Sequence, residues 1–269
     1  MNGTTNRYDR LIEAIFFKYY KKGKIEIPFV REDLEKMAAK HNVKLPKNLG
    51  DVVYTFRYRS KLPDSIARLS PPGSEWVIRS MGQAKYVFSL STMPRIIPNK
   101  MLSETKIPDS TPGVIEKYAF NDEQGLLTKL RYNRLIDIFL GMGCYSLQNH
   151  LRTTVPEIGQ IETDEIYIGL DKRGIHYVIP VQAKGGKDQL GTVQIEQDVA
   201  MCSHKFASLV CIPVAAQFME SDLIALFSFE HSDKGISILC EKHYRLVEPN
   251  ELSDKELSRY KTRTELMDK

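Results

Sequence analysis

Residues 161–184, IETDEIYIGLDKRGIHYVIPVQAK, hold two runs of alternating, mostly apolar residues on either side of Asp171-Lys172-Arg173-Gly174. Period-two patterning around a glycine-containing turn is the signal of a β-hairpin. The spacing fits a type I turn at Lys172 and Arg173 with Gly174 in the left-handed region, closed by Asp171 and Ile175. In that register Ile168 faces Val178, Ile166 faces Pro180, Asp164 faces Gln182 and Glu162 faces Lys184 on one side of the sheet. A slip of one residue would put Glu165 in place of Asp164. A lysine on so apolar a strand costs desolvation free energy unless a partner compensates it. Here two carboxylates at the polar end of the face answer that need.

Outward from the hairpin, residues 122–140 show Leu126, Leu127, Leu130, Leu135, Ile138 and Phe139 at near-helical spacing, which predicts one helix. Residues 146–155 predict a strand, VQIEQDVAMCSHKF a helix, and SLVCIPVAAQFM a buried strand. The order is α, β, β, β, α, β. With an acid on one strand and a (D/E)-x-K-like pattern on the next, residues 115–220 resemble the PD-(D/E)XK nuclease superfamily. The fold class is then α/β (α+β) with a restriction-endonuclease-like αβββαβ core.

The resemblance assigns Asp164 to the first motif position, Gln182 to the second, where a carboxylate is usual, and Lys184 to the third. It implies Mg²⁺, with Mn²⁺ as the alternative ion, held by Asp164, the Gln182 amide oxygen and the Ala183 carbonyl. Glu123 is the further carboxylate from the preceding helix, with Glu162 and Glu196 as competitors. Hard oxygen donors suit Mg²⁺, which activates water for phosphodiester hydrolysis. Lys184 would orient or deprotonate that water. Each residue also has an ordinary structural role: Glu162 and Lys184 as a cross-strand ion pair, Asp164 at a strand entry, Glu123 as a helix-start acid. His176 and His204 are read as packing or surface groups.

The N-terminal part has its own organisation. Tyr8, Leu11, Ile12, Ile15, Phe16 and Tyr19 form a helical stripe. A short strand KIEIPFV follows, then a helix in REDLEKMAAKHNV, with acidic residues in its first turn, and a third helical segment after Pro46. Residues 75–90 read as two short strands joined through Met81 and Gly82. Residues 6–90 thereby resemble a winged helix-turn-helix domain. That likeness implies that the third helix enters the major groove of DNA and the hairpin touches backbone or minor groove. Tyr54, Arg57, Tyr58, Arg59, Lys61, Arg79 and Lys85 are the expected DNA contacts, with Lys187 approaching the scissile phosphate from the other half.

Charge agrees with this division. The chain has 269 residues and net charge +4, but residues 1–92 carry 17 Lys and Arg against 9 Asp and Glu, hence +8, which leaves −4 for the rest. A basic half suits a polyanion. Between the halves, residues 93–113 with Pro94, Pro98, Pro108 and Pro112 read as a linker. The expected domains are 1–92, a winged-helix DNA-binding domain, and 114–269, a nuclease domain. Four scattered cysteines lack zinc-ligand spacing and read as reduced packing residues. No apolar run approaches the roughly 18 residues of a membrane span and MNGTTNRYDR has no secretory character, so the expectation is a cytoplasmic protein.

The two resemblances together imply a metal-dependent endonuclease acting on duplex DNA, of type II restriction character. It would work as a homodimer on DNA with a cognate methyltransferase, or depend on modification. Two alternatives remain at this stage: a repair or junction-resolving nuclease, and a non-catalytic DNA-binding regulator with a degenerate nuclease fold.

Overall fold

The computed structural model describes residues 7–118, 122–185, 188, 190–232 and 235–263. The chain is a mixed α/β protein that divides into two compact units. The first comprises residues up to 96 together with 153–161 and 191–194; the second comprises 97–152, 162–190 and 195 onward. No described helix is long and apolar enough to cross a membrane.

In the first unit the elements run α1 (Arg7–Tyr19), β1 (Glu26–Val30), α2 (Arg31–His41), α3 (Gly50–Tyr58), α4 (Asp64–Ala67), β2 (Glu75–Ser80) and β3 (Lys85–Ser91). Except for the short α4, this is the order that the apolar spacing predicts. The strands form an antiparallel sheet in the order β1-β3-β2. The α1 stripe is fully buried at Leu11, Ile12, Ile15 and Phe16, and Phe16 packs edge-on against Trp76 and Phe88, each with ring centroids 5.2 Å away. Burying each such side chain stabilises the fold by roughly 1.5–3 kcal/mol. Asp33 is buried too, but its carboxylate accepts hydrogen bonds from Lys18 Nζ, Tyr19 Oη and the Val30 N–H. That set of donors ties α1 to the start of α2 and offsets the desolvation.

The remaining elements are β4 (Arg95–Ile96), β5 (Glu104–Pro108), α5 (Gly113–Glu116), α6 (Glu123–Tyr132), α7 (Leu135–Leu140), β6 (Gly143–Val155), β7 (Gly159–Leu170), β8 (His176–Lys184), β9 (Leu190–Gly191), α8 (Thr192–Lys205), β10 (Val210–Cys211), β11 (Val214–Phe218), β12 (Leu223–Ser232), β13 (Gly235–Val247) and α9 (Asp254–Lys261). A mixed sheet runs β5-β13-β12-β11-β8-β7-β6, with β10 also pairing β8. β8 is antiparallel to β7 and parallel to β11. Parallel neighbours need a crossover, and α8 lies in the connection between them.

The hairpin register is the expected one. Pairs run from Glu165–Val181 to Leu170–His176, including Ile166–Pro180 and Ile168–Val178. Gly174 has φ +79°, the left-handed conformation the turn requires. Tyr177, Ile179, Val181 and Ala183 of β8 face the core with Leu126, Leu127, Leu130 and Leu135 of the helices.

Two expectations are corrected. The single helix over 122–140 is two, because Arg134 takes φ +49° after Asn133 and breaks the backbone between them. Asn133 is buried there: its amide donates to Asp109 Oδ1, Thr111 Oγ1 and Lys129 O, and its oxygen accepts from the Ser110 N–H. The proline-rich stretch 93–113 is not linker throughout. Residues Glu104–Pro108 form β5, an edge strand parallel to β13, and Pro108 sits at its last position, where a missing N–H is tolerated. The apolar strands after Ser221 extend the large sheet as β12 and β13.

Candidate active site

The polar end of the β7–β8 hairpin and the start of α6 build the site. Asp122 caps α6: its Oδ1 accepts the Gly125 N–H at 2.9 Å, a contact of about 1 kcal/mol, and this sets the direction in which Glu123 leaves the first turn. The Glu123 carboxylate then meets Lys184 at the end of β8, with Nζ 2.5 Å from Oε1. Their approach depends on Gly185, where a Cβ would stand 2.9 Å from the Asp122 carbonyl carbon. Lys184 is 12% exposed and Glu123 36%, so the pair lies at a surface that solvent reaches from one side.

Asp164, 9% exposed, completes the group. Its Oδ2 accepts the Ala183 N–H at 2.8 Å, which ties the two strands together just beyond the last regular pair. Burial pushes the Asp164 carboxyl above the ordinary range; the Lys184 charge and the Ala183 N–H pull it down, and Glu123 adds a further upward push. Two carboxylates, one ammonium group and a backbone amide are thereby coupled at one strand end. Glu165 is excluded from this group: fully buried, it accepts from Arg131 and Ser146 on another side.

Gln182 and Glu162 lie elsewhere than the regular pairing implied. Gln182 is buried, and its Nε2 donates to Asp198 Oδ2 at 3.0 Å and to the Glu162 carbonyl at 3.3 Å. Glu162 pairs with Arg152 at 3.1 Å, with His150 Nδ1 3.8 Å away, whereas the ammonium of Lys184 goes to Glu123. The regular ladder stops at Glu165–Val181. Past it, Thr163 bonds to Asp198 on α8 while Glu165 bonds to Arg131 on α6, so strict alternation no longer holds. Glu196 is half-buried on α8, and Asp198 of the same helix reaches Thr163 of β7 and Gln182 of β8.

Asp198, together with Gln124 and His150, had no sequence signal. Asp198 is fully buried; burial raises its carboxyl to about 7 against hydrogen bonds from Thr163 and Gln182. Gln124 Nε2 and His150 Nε2 lie 2.8 Å apart, both exposed, and His150 takes φ +47° within β6. No sequence pattern marks these three, because their proximity arises only when α6, α8 and the hairpin are packed.

Among the described residues no group of three or more His, Cys, Asp or Glu is placed to hold a metal ion. Mg²⁺ needs fewer: one or two carboxylates, with water and substrate phosphate filling the other positions. Asp164 and Glu123, both coupled to Lys184 at this strand end, are the carboxylates that could serve in that way. Gln182, whose amide nitrogen is engaged by Asp198, holds the strand to α8.

In the first unit, α3 presents a surface of rings and cations. Tyr54 and Tyr58 meet edge-on at 4.8 Å, Arg57 lies over Tyr58 at 4.8 Å, and Arg59 lies over Tyr54 at 5.2 Å. Lys61 and Lys85 are exposed. Arg79 is half-buried, its Nη1 donating to Ser89 Oγ across the hairpin. Lys187 lies outside the described residues. No protein-family model, curated protein or solved structure matches the chain.

Proposed function

We propose that the chain is a metal-dependent endonuclease that hydrolyses phosphodiester bonds in duplex DNA, with a restriction-endonuclease-like second unit and a winged-helix first unit. The observation that carries this reading is the meeting of Asp164, Glu123 and Lys184 at the open end of β7 and β8. The order α6-α7, β6, β7, β8, α8, β11, with β8 and β11 parallel, supports it independently. Mg²⁺ or Mn²⁺ bound at Asp164 and Glu123 would neutralise phosphate charge and lower the pKa of a bound water.

The chain's own groups have defined parts in that chemistry. Lys184 gives one N–H to Glu123 and keeps two for the attacking water and a phosphoryl oxygen, where its charge offsets charge developing in the transition state. The Ala183 N–H fixes one oxygen of Asp164 and leaves the other to accept. Arg57, Tyr58, Arg59 and Tyr54 on α3, with Lys61 and Lys85, are the proposed duplex contacts. Two strand cuts need two such sites, so the active species on DNA is a homodimer, and a methyltransferase of matching specificity protects the host DNA.

Incubating wild type, Asp164→Asn and Lys184→Ala with methylated and unmethylated plasmid, with Mg²⁺ or with chelator, tests the reading. Discrete Mg²⁺-dependent fragments from wild type alone are expected. Cleavage retained by both variants removes the site assignment. One observation favours a second reading, a DNA-binding regulator: Gln182 supplies no carboxylate and is bound to a buried acid. DNA binding without cleavage of plasmid or branched DNA would establish that alternative.

A further inference from the structure

The first unit contains a cavity of about 550 Å³ that the strand-end chemistry does not use. It opens between the start of α2, one side of α3, the turn joining β2 to β3, and residues 154–160. Two arginines line it. Nε of Arg31, and Nε and Nη2 of Arg57, are closed off from solvent and have no hydrogen-bond acceptor among the described residues. Guanidinium N–H groups left unpaired in this way cost about 1–3 kcal/mol each or more, so each calls for an acceptor from water or from a ligand.

The wall opposite is built from backbone that approaches closely. Gly82, φ +103°, faces the Glu157 backbone 3.6 Å from its Cβ position, and Gly159, φ +96°, faces Ser80 Oγ at 3.7 Å. A side chain at either position would be strained and would narrow the cavity. Gln83 and Gln160, both exposed, also line the cavity.

We infer that this cavity binds a nucleoside monophosphate unit, its phosphate between Arg31 and Arg57 and its base against the amides of Gln83 and Gln160. Paired guanidinium groups suit a phosphate oxygen set, to which arginine bonds in a bidentate fork. A bare phosphate would leave most of the volume empty, whereas the cavity is of the size that takes a small organic ligand. One carboxylate, Asp51, lines the cavity, and it is already engaged by the Asn48 amide at 2.7 Å. The unit comes either from a free nucleotide or from a nucleotide extruded from DNA; the DNA source rests on the proposed recognition role of this unit, and the free source does not.

The test uses the full chain carrying Lys184→Ala, so that cleavage plays no part in the readout. Calorimetric titration with each 2′-deoxynucleoside 5′-monophosphate, with the matching nucleosides and with inorganic phosphate should show saturable binding of a monophosphate. The nucleoside and phosphate alone should bind at least tenfold more weakly. Arg31→Gln should weaken monophosphate binding at least tenfold with an unchanged circular dichroism melt, and Arg31→Lys should recover part of it. Gln83→Ala, an exposed change, provides the same comparison should Arg31→Gln unfold. In a second arm a short duplex containing 2-aminopurine is titrated: brighter emission on binding, lost in Arg31→Gln, identifies DNA as the source, and monophosphate binding without that rise identifies a free nucleotide. Absence of saturable monophosphate binding in the first arm and of a fluorescence rise in the second, or binding unaffected by Arg31→Gln and Gln83→Ala alike, overturns the inference.

Discussion

A Cβ on Gly185 would lie 2.9 Å from the carbonyl carbon of Asp122, 3.0 Å from its Cα and 3.2 Å from the Glu123 nitrogen, all backbone atoms that cannot rotate away. Gly185→Ala should therefore push the start of α6 from the end of β8 and part Glu123 from Lys184. Overpacking of this kind costs about 1–3 kcal/mol of stability. Displacement by even ~1 Å near reacting groups can cost ~100-fold in rate, so cleavage should fall at least about tenfold in a protein that still folds. Full activity in Gly185→Ala would mean that the Glu123–Lys184 approach is not needed. Gln182 allows a second test at this scale. Its Nε2 donates to Asp198, so above about pH 7, where Asp198 is ionised, Gln182→Glu sets an acceptor against an acceptor in a buried place and should cost about 1–3 kcal/mol. Adding Asp198→Asn restores a donor facing an acceptor, and the double variant should recover at least half the loss in urea melts. Equal stability of single and double variants would show that the contact contributes nothing.

The β7–β8 hairpin was legible because its turn is local chemistry: one glycine with positive φ fixes the loop, and the loop fixes every pair beyond it. Asp171 adds to the turn. Burial raises its carboxyl, but the Ile175 and Arg173 N–H groups, the Arg173 side chain and the Tyr177 hydroxyl outweigh that and hold it at about 2. A carboxyl depressed in the fold contributes stability above its unfolded pKa near 4, and that contribution is lost as pH falls towards about 2. Asp171→Asn should lack this part of the acid loss: the difference between the two melting curves is present at pH 7, shrinks below about pH 4, and is nearly gone near pH 2. A difference independent of pH would exclude the ionised carboxylate as its cause. The break in the 122–140 helix was hidden for the opposite reason. The leucine stripe continues through Asn133 and Arg134, and what stops the helix is Asn133 meeting residues 109–111, more than twenty positions away. β5 was hidden likewise, since a parallel partnership with β13 leaves no mark on either segment's own sequence. Among the candidate site residues, Asp164 and Lys184 were singled out by the resemblance to the superfamily motif, whereas the contacts of Asp198 and His150 depended on which helix or strand packs where.

Across the whole chain, the proposed reading puts DNA binding and cleavage in different units, and the charge is divided in the same way. The first 92 residues carry +8 and the rest −4, and the exposed cations Lys61 and Lys85 lie in the first unit, as does the ring and guanidinium surface of α3. A protein that neutralises phosphates with such groups releases counterions, and log K falls with log salt by about 0.9 for each phosphate neutralised. Lys61→Ala with Lys85→Ala should then reduce that slope by about 2. Lys172→Ala, which removes an exposed cation from the β7–β8 turn in the second unit, should leave the slope unchanged and so controls for net charge. Arg57→Ala or Tyr58→Ala should weaken binding by roughly 1–3 kcal/mol where a base contact is lost. Lys184→Ala should bind DNA with nearly the wild-type affinity and slope while cutting nothing. The measurements are fluorescence anisotropy over a salt series and plasmid cleavage at saturating protein, on the same preparations. If Lys172→Ala changes the slope as much as the Lys61 and Lys85 pair, recognition does not reside in the first unit. If Lys184→Ala loses affinity together with cleavage, its ammonium binds the substrate in the ground state instead of acting in the chemical step.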